Sequence, residues 1–274
     1  MAFFDFHFFS ESLALTCAAH VLIPQQTTAQ IGMAGGARRE KYPTLYLLHG
    51  LSDDHTIWMR RTSIERYAAE KNIAVVMPAA GRSFYQDMVS GPKYWTFVSE
   101  ELPALCEQFF PLSSEREQRF AAGLSMGGYG ALRLGLARPD RYAAAASLSG
   151  ALDLARRLRE AGREGALMNK AEYTGIFGPE LRGEGTDADL FFLAEKVAAS
   201  SGPRPQLFLA CGTEDRLIEE QRALQKHLAA LRLAATCEES PGTHEWGYWD
   251  AQIRRVLDWL PTGGTIDGHS AGVF

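Results

Sequence analysis

Five short, mostly apolar runs constrain this chain more than any other feature. Leu45-Tyr46-Leu47-Leu48 ends at His49-Gly50, and Ile73 to Met77 ends at Pro78. Phe120 to Leu124, Tyr142 to Leu148 and Gln206 to Cys211 follow. Unbroken runs of this length suit strands buried on both faces, as in a parallel sheet covered by helices. The intervening segments carry helical spacing: Met126 to Ala137, stopped ahead of Pro139, then Leu217 to Leu231 and Trp246 to Leu260. Thr96 to Phe109 has the same spacing, although Pro103 interrupts it. Leu13 to Ile23 alternates and reads as a strand ending at Pro24, with a Gly-rich turn at 32–36. Ala234 to Glu238 reads as the last strand. Strands alternating with helices predict an α/β fold, with a mostly parallel central sheet and helices on both faces. In such sheets active residues gather outside the carboxyl ends of the strands.

With 274 residues, 46% of them apolar, the chain can bury a full core, which excludes a disordered, collagenous or coiled-coil protein. A formal charge of -5, with acids and bases intermixed, argues against nucleic acid or an anionic membrane as partner. No apolar run approaches the roughly 18 residues of a membrane span. The start, Met1-Ala2-Phe3-Phe4-Asp5-Phe6-His7, lacks the basic region of a secretory leader, so a cytoplasmic protein is expected. Cys17, Cys106, Cys211 and Cys237 lie far apart without a CxxC pair, and read as reduced thiols. Residues 151–200 hold many charges, several glycines and no strong strand. They read as an insertion over the sheet, a lid or pocket wall within one domain spanning 1–261. The small-residue tail 262–274 is expected to be loosely held.

The strongest chemical signal is Gly123-Leu124-Ser125-Met126-Gly127, a G-x-S-x-G match between an apolar strand and a helix-like segment. That context is the strand-turn-helix of a nucleophile elbow, whose tight turn lifts a serine hydroxyl above the sheet. Side chains at Gly123 and Gly127 would collide with neighbouring backbone there. A serine hydroxyl needs a base. After Ser125 come His227, inside an amphipathic helix, His269, in the tail, and His244, in the turn between the last strand and last helix. A loop after a strand suits a general base, which favours His244. Asp215, in Gly212-Thr213-Glu214-Asp215 at the end of a strand, is favoured as the acid that orients it, with Asp153 as rival and Glu214 as a neighbour open to misassignment. Asp187 and Asp189 fall in the charged insertion and are expected to be solvated. Oxyanion donors are expected from the N–H groups of Met126 and of Leu51, which follows His49-Gly50. His49, Asp53, Asp54 and His55 raise the question of a metal site, but no further spaced ligand cluster supports it, and no metal is expected. Tyr94, Trp95, Trp246, Tyr248 and Trp249 are candidates to line an acyl pocket, Trp95 and Trp246 foremost, or else belong to the core.

The segments LYLLHGLSDDHTIWMRRTSIERYA, VVMPAAGRSFYQD, EELPALCEQFFP, FAAGLSMGGYGALRLGL, SLSGALD, CGTEDRL and GTHEWGYWD together span residues from about 45 to 260. In that order they resemble the esterase family of α/β-hydrolases that includes esterase D, S-formylglutathione hydrolase and the antigen 85 proteins. Within it the likeness is greatest to the bacterial tributyrin esterases. The resemblance implies an α/β-hydrolase fold, Ser125 as nucleophile, Asp215 as acid and His244 as base. It also implies the Leu51 and Met126 N–H groups as oxyanion hole. It implies hydrolysis of small-molecule esters of short acyl chains without a cofactor, and it leaves room for a homo-oligomer. A thioesterase acting on S-formylglutathione and an acyltransferase are the alternatives. The 151–200 segment matches the family pattern least well.

Overall fold

Alternate residues of the apolar runs are buried on opposite sides of one sheet, which is why the runs carry few polar positions. Leu45 and Leu47 pack with Trp58, Ile64, Ile253 and Val256 on one side, whereas Tyr46 and Leu48 pack with Leu102, Tyr129 and Leu132 on the other. The computed structural model describes residues 1–31, 37–163 and 167–262. The expectations placed on residues 32–36, on His269 and on the tail beyond Thr262 fall outside them.

Eight strands form the sheet: β1 (Ala2–Ser10), β2 (Leu15–Ile23), β3 (Thr44–Leu48), β4 (Ala74–Pro78), β5 (Arg119–Leu124), β6 (Ala144–Leu148), β7 (Gln206–Gly212) and β8 (Ala235–Ser240). Their spatial order is β1-β2-β4-β3-β5-β6-β7-β8. β2 runs antiparallel to β1 and to β4, and every other pairing is parallel. The helices are α1 (Ile57–Arg61), α2 (Ile64–Lys71), α3 (Tyr94–Thr96), α4 (Leu102–Phe109), α5 (Met126–Ala137), α6 (Leu154–Arg159), α7 (Lys170–Phe177), α8 (Leu190–Ala199), α9 (Ile218–Ala230) and α10 (Trp246–Trp259).

Pro103 does not break its helix, because a π turn over Phe97–Glu101 joins α3 to α4. The missing proline N–H leaves the Ser99 carbonyl without its helical donor, and Arg141 Nη1 donates to it instead at 2.8 Å. β1 carries no clear strand pattern in its own sequence. Its aromatics stand at consecutive positions, so the sequence shows no clear alternation, yet all nine residues pair with β2. Among its described residues the 151–200 segment contains no strand. It supplies α6, α7 and α8, tied to the sheet layers by Tyr129 Oη donating to Ala188 O (2.6 Å) and Arg133 Nε donating to Asp187 O (2.9 Å).

The chain steps from β3 to β4 on one side and then returns to place β5 on the other, so the loops after β3 and β5 flank a crevice. The parallel register sets Leu48 beside Gly123 and Gly212 beside Ser240. The loops carrying Leu51, Ser125, Asp215 and His244 therefore leave the same end of the sheet.

Candidate active site

Ser125 sits between β5 and α5 at φ 54° and ψ -117°, a conformation that costs a non-glycine residue roughly 1–3 kcal/mol. Three backbone bonds hold it there: its N–H donates to Leu148 O (2.9 Å), and its carbonyl accepts from Ala151 (3.0 Å) and Tyr129 (3.2 Å). The turn works only with small neighbours. A Cβ at Gly127 would lie 2.6 Å from His49 O and closer still to Leu48 O, and one at Gly123 would overlap the Gly127 carbonyl.

The Ser125 hydroxyl lies 3.1 Å from His244 Nε2, and His244 Nδ1 lies 2.8 Å from Asp215 Oδ2. With Nδ1–H donating to Asp215, Nε2 is left to accept from the serine. The Asp215 side chain is fully buried, and Leu217 N–H donates to its other oxygen at 2.9 Å. Burial pulls the Asp215 pKa upward, but the hydrogen bonds from His244 and Leu217 outweigh it and hold the carboxyl below its ordinary value. The imidazole stands edge-on to Trp249, with centroids 4.8 Å apart and planes at 87°.

The His244 turn is held on both sides. Glu214 accepts from Gly242 N–H (2.7 Å), and Gly242 O accepts from Glu214 N–H (3.1 Å). Glu245 caps α10 by accepting from Gly247 and Tyr248 N–H, each at 2.9 Å. Glu214 thus braces the loop of the imidazole without touching it. Asp153 lies elsewhere, capping α6 through Arg156 N–H at 2.9 Å. His227 meets Phe191 O at 3.2 Å on α9, away from Ser125. Asp187 is exposed and paired with Lys196, but Asp189 departs from the expected solvation: it is buried and caps α8, accepting from Phe191 N–H at 3.0 Å.

Leu51 and Met126 line the same pocket as Ser125. As first residue of α5, Met126 has an N–H with no acceptor inside the helix. Leu51 follows His49-Gly50, and His49 is the residue whose part the sequence left unassigned. It is buried, with Nδ1 donating to Gly50 O (2.7 Å), Nε2 accepting from Ala80 N–H (2.9 Å) and its carbonyl accepting from Tyr85 Oη (2.9 Å). Burial lowers its pKa to about 4, so it stays neutral and acts as a fixed brace for the Leu51 loop. The four-residue metal reading dissolves. His49 has both nitrogens engaged, Asp54 accepts from Thr56 N–H (2.9 Å) and Oγ1 (2.6 Å), and His55 turns toward Asp5.

The pocket holds about 370 Å³. Leu51, Phe84, Met126, Leu167, Met168 and Leu217 supply apolar lining, and Arg157, Glu160, Arg163, Arg216 and Glu220 supply charge. Ala151, Arg157, Glu160, Arg163, Leu167, Met168 and Tyr173 of the 151–200 segment are among the residues that line it. Arg157 and Glu220 pair across it at 2.5 Å, tying α6 to α9. Trp95 and Trp246 are not among the lining residues: Arg133 stacks on Trp95 at 3.8 Å, and Trp246 meets Trp58 and Trp249 edge-on.

A family model described as "Putative esterase" matches residues 23–260. The chain belongs to this family. An acetyl esterase of Caldicellulosiruptor saccharolyticus is 32% identical over 224 residues, which is 81% of this chain and 84% of that protein. Among solved structures, a fluorophosphonate-binding serine hydrolase of Staphylococcus aureus is 32% identical with a TM-score of 0.84, covering 94% of this chain and 98% of its own. An S-formylglutathione hydrolase of the same organism is 31% identical with a TM-score of 0.82 and the same coverage. The fold is that of the α/β-hydrolases, and the family makes this chain a carboxylic ester hydrolase of the serine type. Among the described residues, no helix is long and apolar enough to cross a membrane.

Proposed function

We propose that this esterase hydrolyses small-molecule esters of short acyl chains through Ser125, His244 and Asp215. His244 takes the Ser125 proton as the hydroxyl attacks the ester carbonyl. The N–H groups of Leu51 and Met126 receive the oxyanion, and His244 then protonates the leaving alcohol. A water activated by His244 releases the acid from the acyl-enzyme. Asp215 keeps the proton of the resting imidazole on Nδ1 and stabilises the imidazolium. The observation that carries this reading is the unbroken hydrogen-bond chain from Ser125 through His244 to a buried Asp215, opening on a pocket of about 370 Å³. That volume suits a small acyl group, near the lower end of ordinary ligand pockets. Initial rates on p-nitrophenyl acetate, butyrate, octanoate and palmitate, with Ser125→Ala alongside, test it. Turnover confined to the short chains and lost in the variant is expected; equal rates on palmitate would contradict the short-chain assignment.

A second reading, a thioesterase acting on S-formylglutathione, draws support from the charged wall, where Arg163 and Arg216 could meet carboxylates on a leaving group. The machinery would be the same. Comparing kcat/KM for a short oxygen ester and for S-formylglutathione separates the two. On either reading the enzyme acts in the cytoplasm on a diffusible substrate.

A further inference from the structure

We propose that Asp5, His20 and His55 form a binding site for a divalent transition-metal ion of the zinc type, distinct from the catalytic residues. The antiparallel register sets Asp5 directly opposite His20 across the β1–β2 pair. The turn ahead of α1 then delivers His55 to the same point. Nε2 of His20 lies 3.7 Å from Asp5 Oδ1 and Nε2 of His55 lies 3.9 Å from it. One ligand atom from each of the three residues falls within 4.8 Å of the others. Zinc bound at ~2.0–2.2 Å in tetrahedral geometry needs ligand atoms roughly 3.3–3.6 Å apart. Small side-chain rotations close that gap.

The ligand chemistry matches as well. Two imidazoles and a carboxylate suit zinc or cobalt, and are a poor set for calcium or magnesium, which require mostly oxygen. His7, two residues along the same strand face as Asp5, holds its Nε2 3.2 Å from Asp5 Oδ1 but is not part of the three-residue cluster, so water would complete the coordination. The rings of His20 and His55 meet edge-on with centroids 4.8 Å apart, and their side chains are only 10% and 18% exposed. Asp5, at 54%, leaves an entry from solvent.

Nδ1 of His20 and of His55 is buried without a partner among the described residues. Resident zinc sites usually place a carbonyl or carboxylate behind that nitrogen, and its loss weakens binding ~10- to 100-fold. The site is therefore an exchangeable one, of roughly micromolar affinity. A bound ion would join the first hairpin to the turn that follows Leu51, acting as a clasp.

The test is calorimetric titration of the full chain with zinc chloride alone. It is paired with the visible spectrum of the cobalt(II) form and with thermal unfolding with and without zinc. His55→Ala and Asp5→Ala are the variants, chosen over His20 because their side chains are more exposed. The expected result is one zinc per chain, a cobalt spectrum of tetrahedral type and a higher Tm with zinc. Binding should be at least about tenfold weaker in each variant, with circular dichroism unchanged. Wild-type binding no tighter than that of His55→Ala, or no saturable binding below millimolar zinc, would overturn the site.

Discussion

The loops after β5, β7 and β8 and the wall built around α6 and α7 face each other across one pocket, but they are constrained differently. In the first, backbone decides. Ser125 is strained and tied by three backbone bonds, Gly123 and Gly127 leave no space for a Cβ, and Glu214 and Glu245 fix the turn of His244. In the second, long charged side chains decide, with Arg157 on α6 and Glu160 and Arg163 just beyond it lining the cavity. Backbone geometry admits few residue types at each position, whereas an exposed arginine on a helix can be exchanged without disturbing the fold. On the proposed mechanism, reaction type belongs to the first region and substrate choice to the second.

The largest effect that would sharpen this contrast is expected at Ser125. Replacing it with alanine should lower kcat by about 10⁶ on every ester, with little change in Tm. Asp215→Asn should lower kcat by about 10⁴, because the asparagine favours the wrong imidazole tautomer. Asp153→Ala should cost only its helix cap, about 1 kcal/mol of stability. A severe loss of activity at Asp153 with a mild one at Asp215 would reverse the two acids.

His49→Phe removes the brace of the Leu51 loop while keeping a ring in place. Loss of one oxyanion donor costs about 10²–10³ in kcat, and a displaced donor should cost less, roughly 10- to 100-fold, with KM nearly unchanged. The same variant tests a pH effect. A histidine whose folded pKa is held near 4, below its usual 6.5, contributes stability that is complete above about pH 6.5 and is lost as pH falls toward 4. Denaturant unfolding of the wild type should lose about 3 kcal/mol across that window from His49, and the variant should show a flatter slope there.

The smallest effect is expected in the wall. Arg163→Ala should leave kcat/KM for p-nitrophenyl acetate within about twofold and raise KM several-fold only for substrates with an anionic leaving group. A loss shared equally by neutral and anionic esters would break the division between the two regions.

The same division explains what could be read from the sequence. Ser125 and Asp215 are legible because each follows an apolar strand, Ser125 in a turn so tight that it demands glycine, and His244 because it lies in the turn between the last strand and the last helix. The parallel strands were legible because burial on both faces leaves an uninterrupted apolar run. β1 was not, since an edge strand with exposed Phe3, Phe4 and Phe9 carries no such pattern. Nor were α1 and α2, too short to show a period. Trp95 and Trp246 were named for their size, but which side of a helix faces a cavity depends on packing that spacing does not encode. Asp189 looked like one more charge in a polar stretch, and its burial follows from capping α8. The meeting of Asp5, His20 and His55 depends on strand register and on one turn, neither of which is written in the local sequence.

The most direct measurement of the central claim is acid-quenched mass spectrometry of the protein mixed with p-nitrophenyl acetate, followed by peptide mapping. The account predicts one acetyl group per chain, carried on Ser125 and absent from Ser125→Ala, together with loss of turnover in that variant. An acetyl group on another residue, or undiminished turnover by Ser125→Ala, would contradict it.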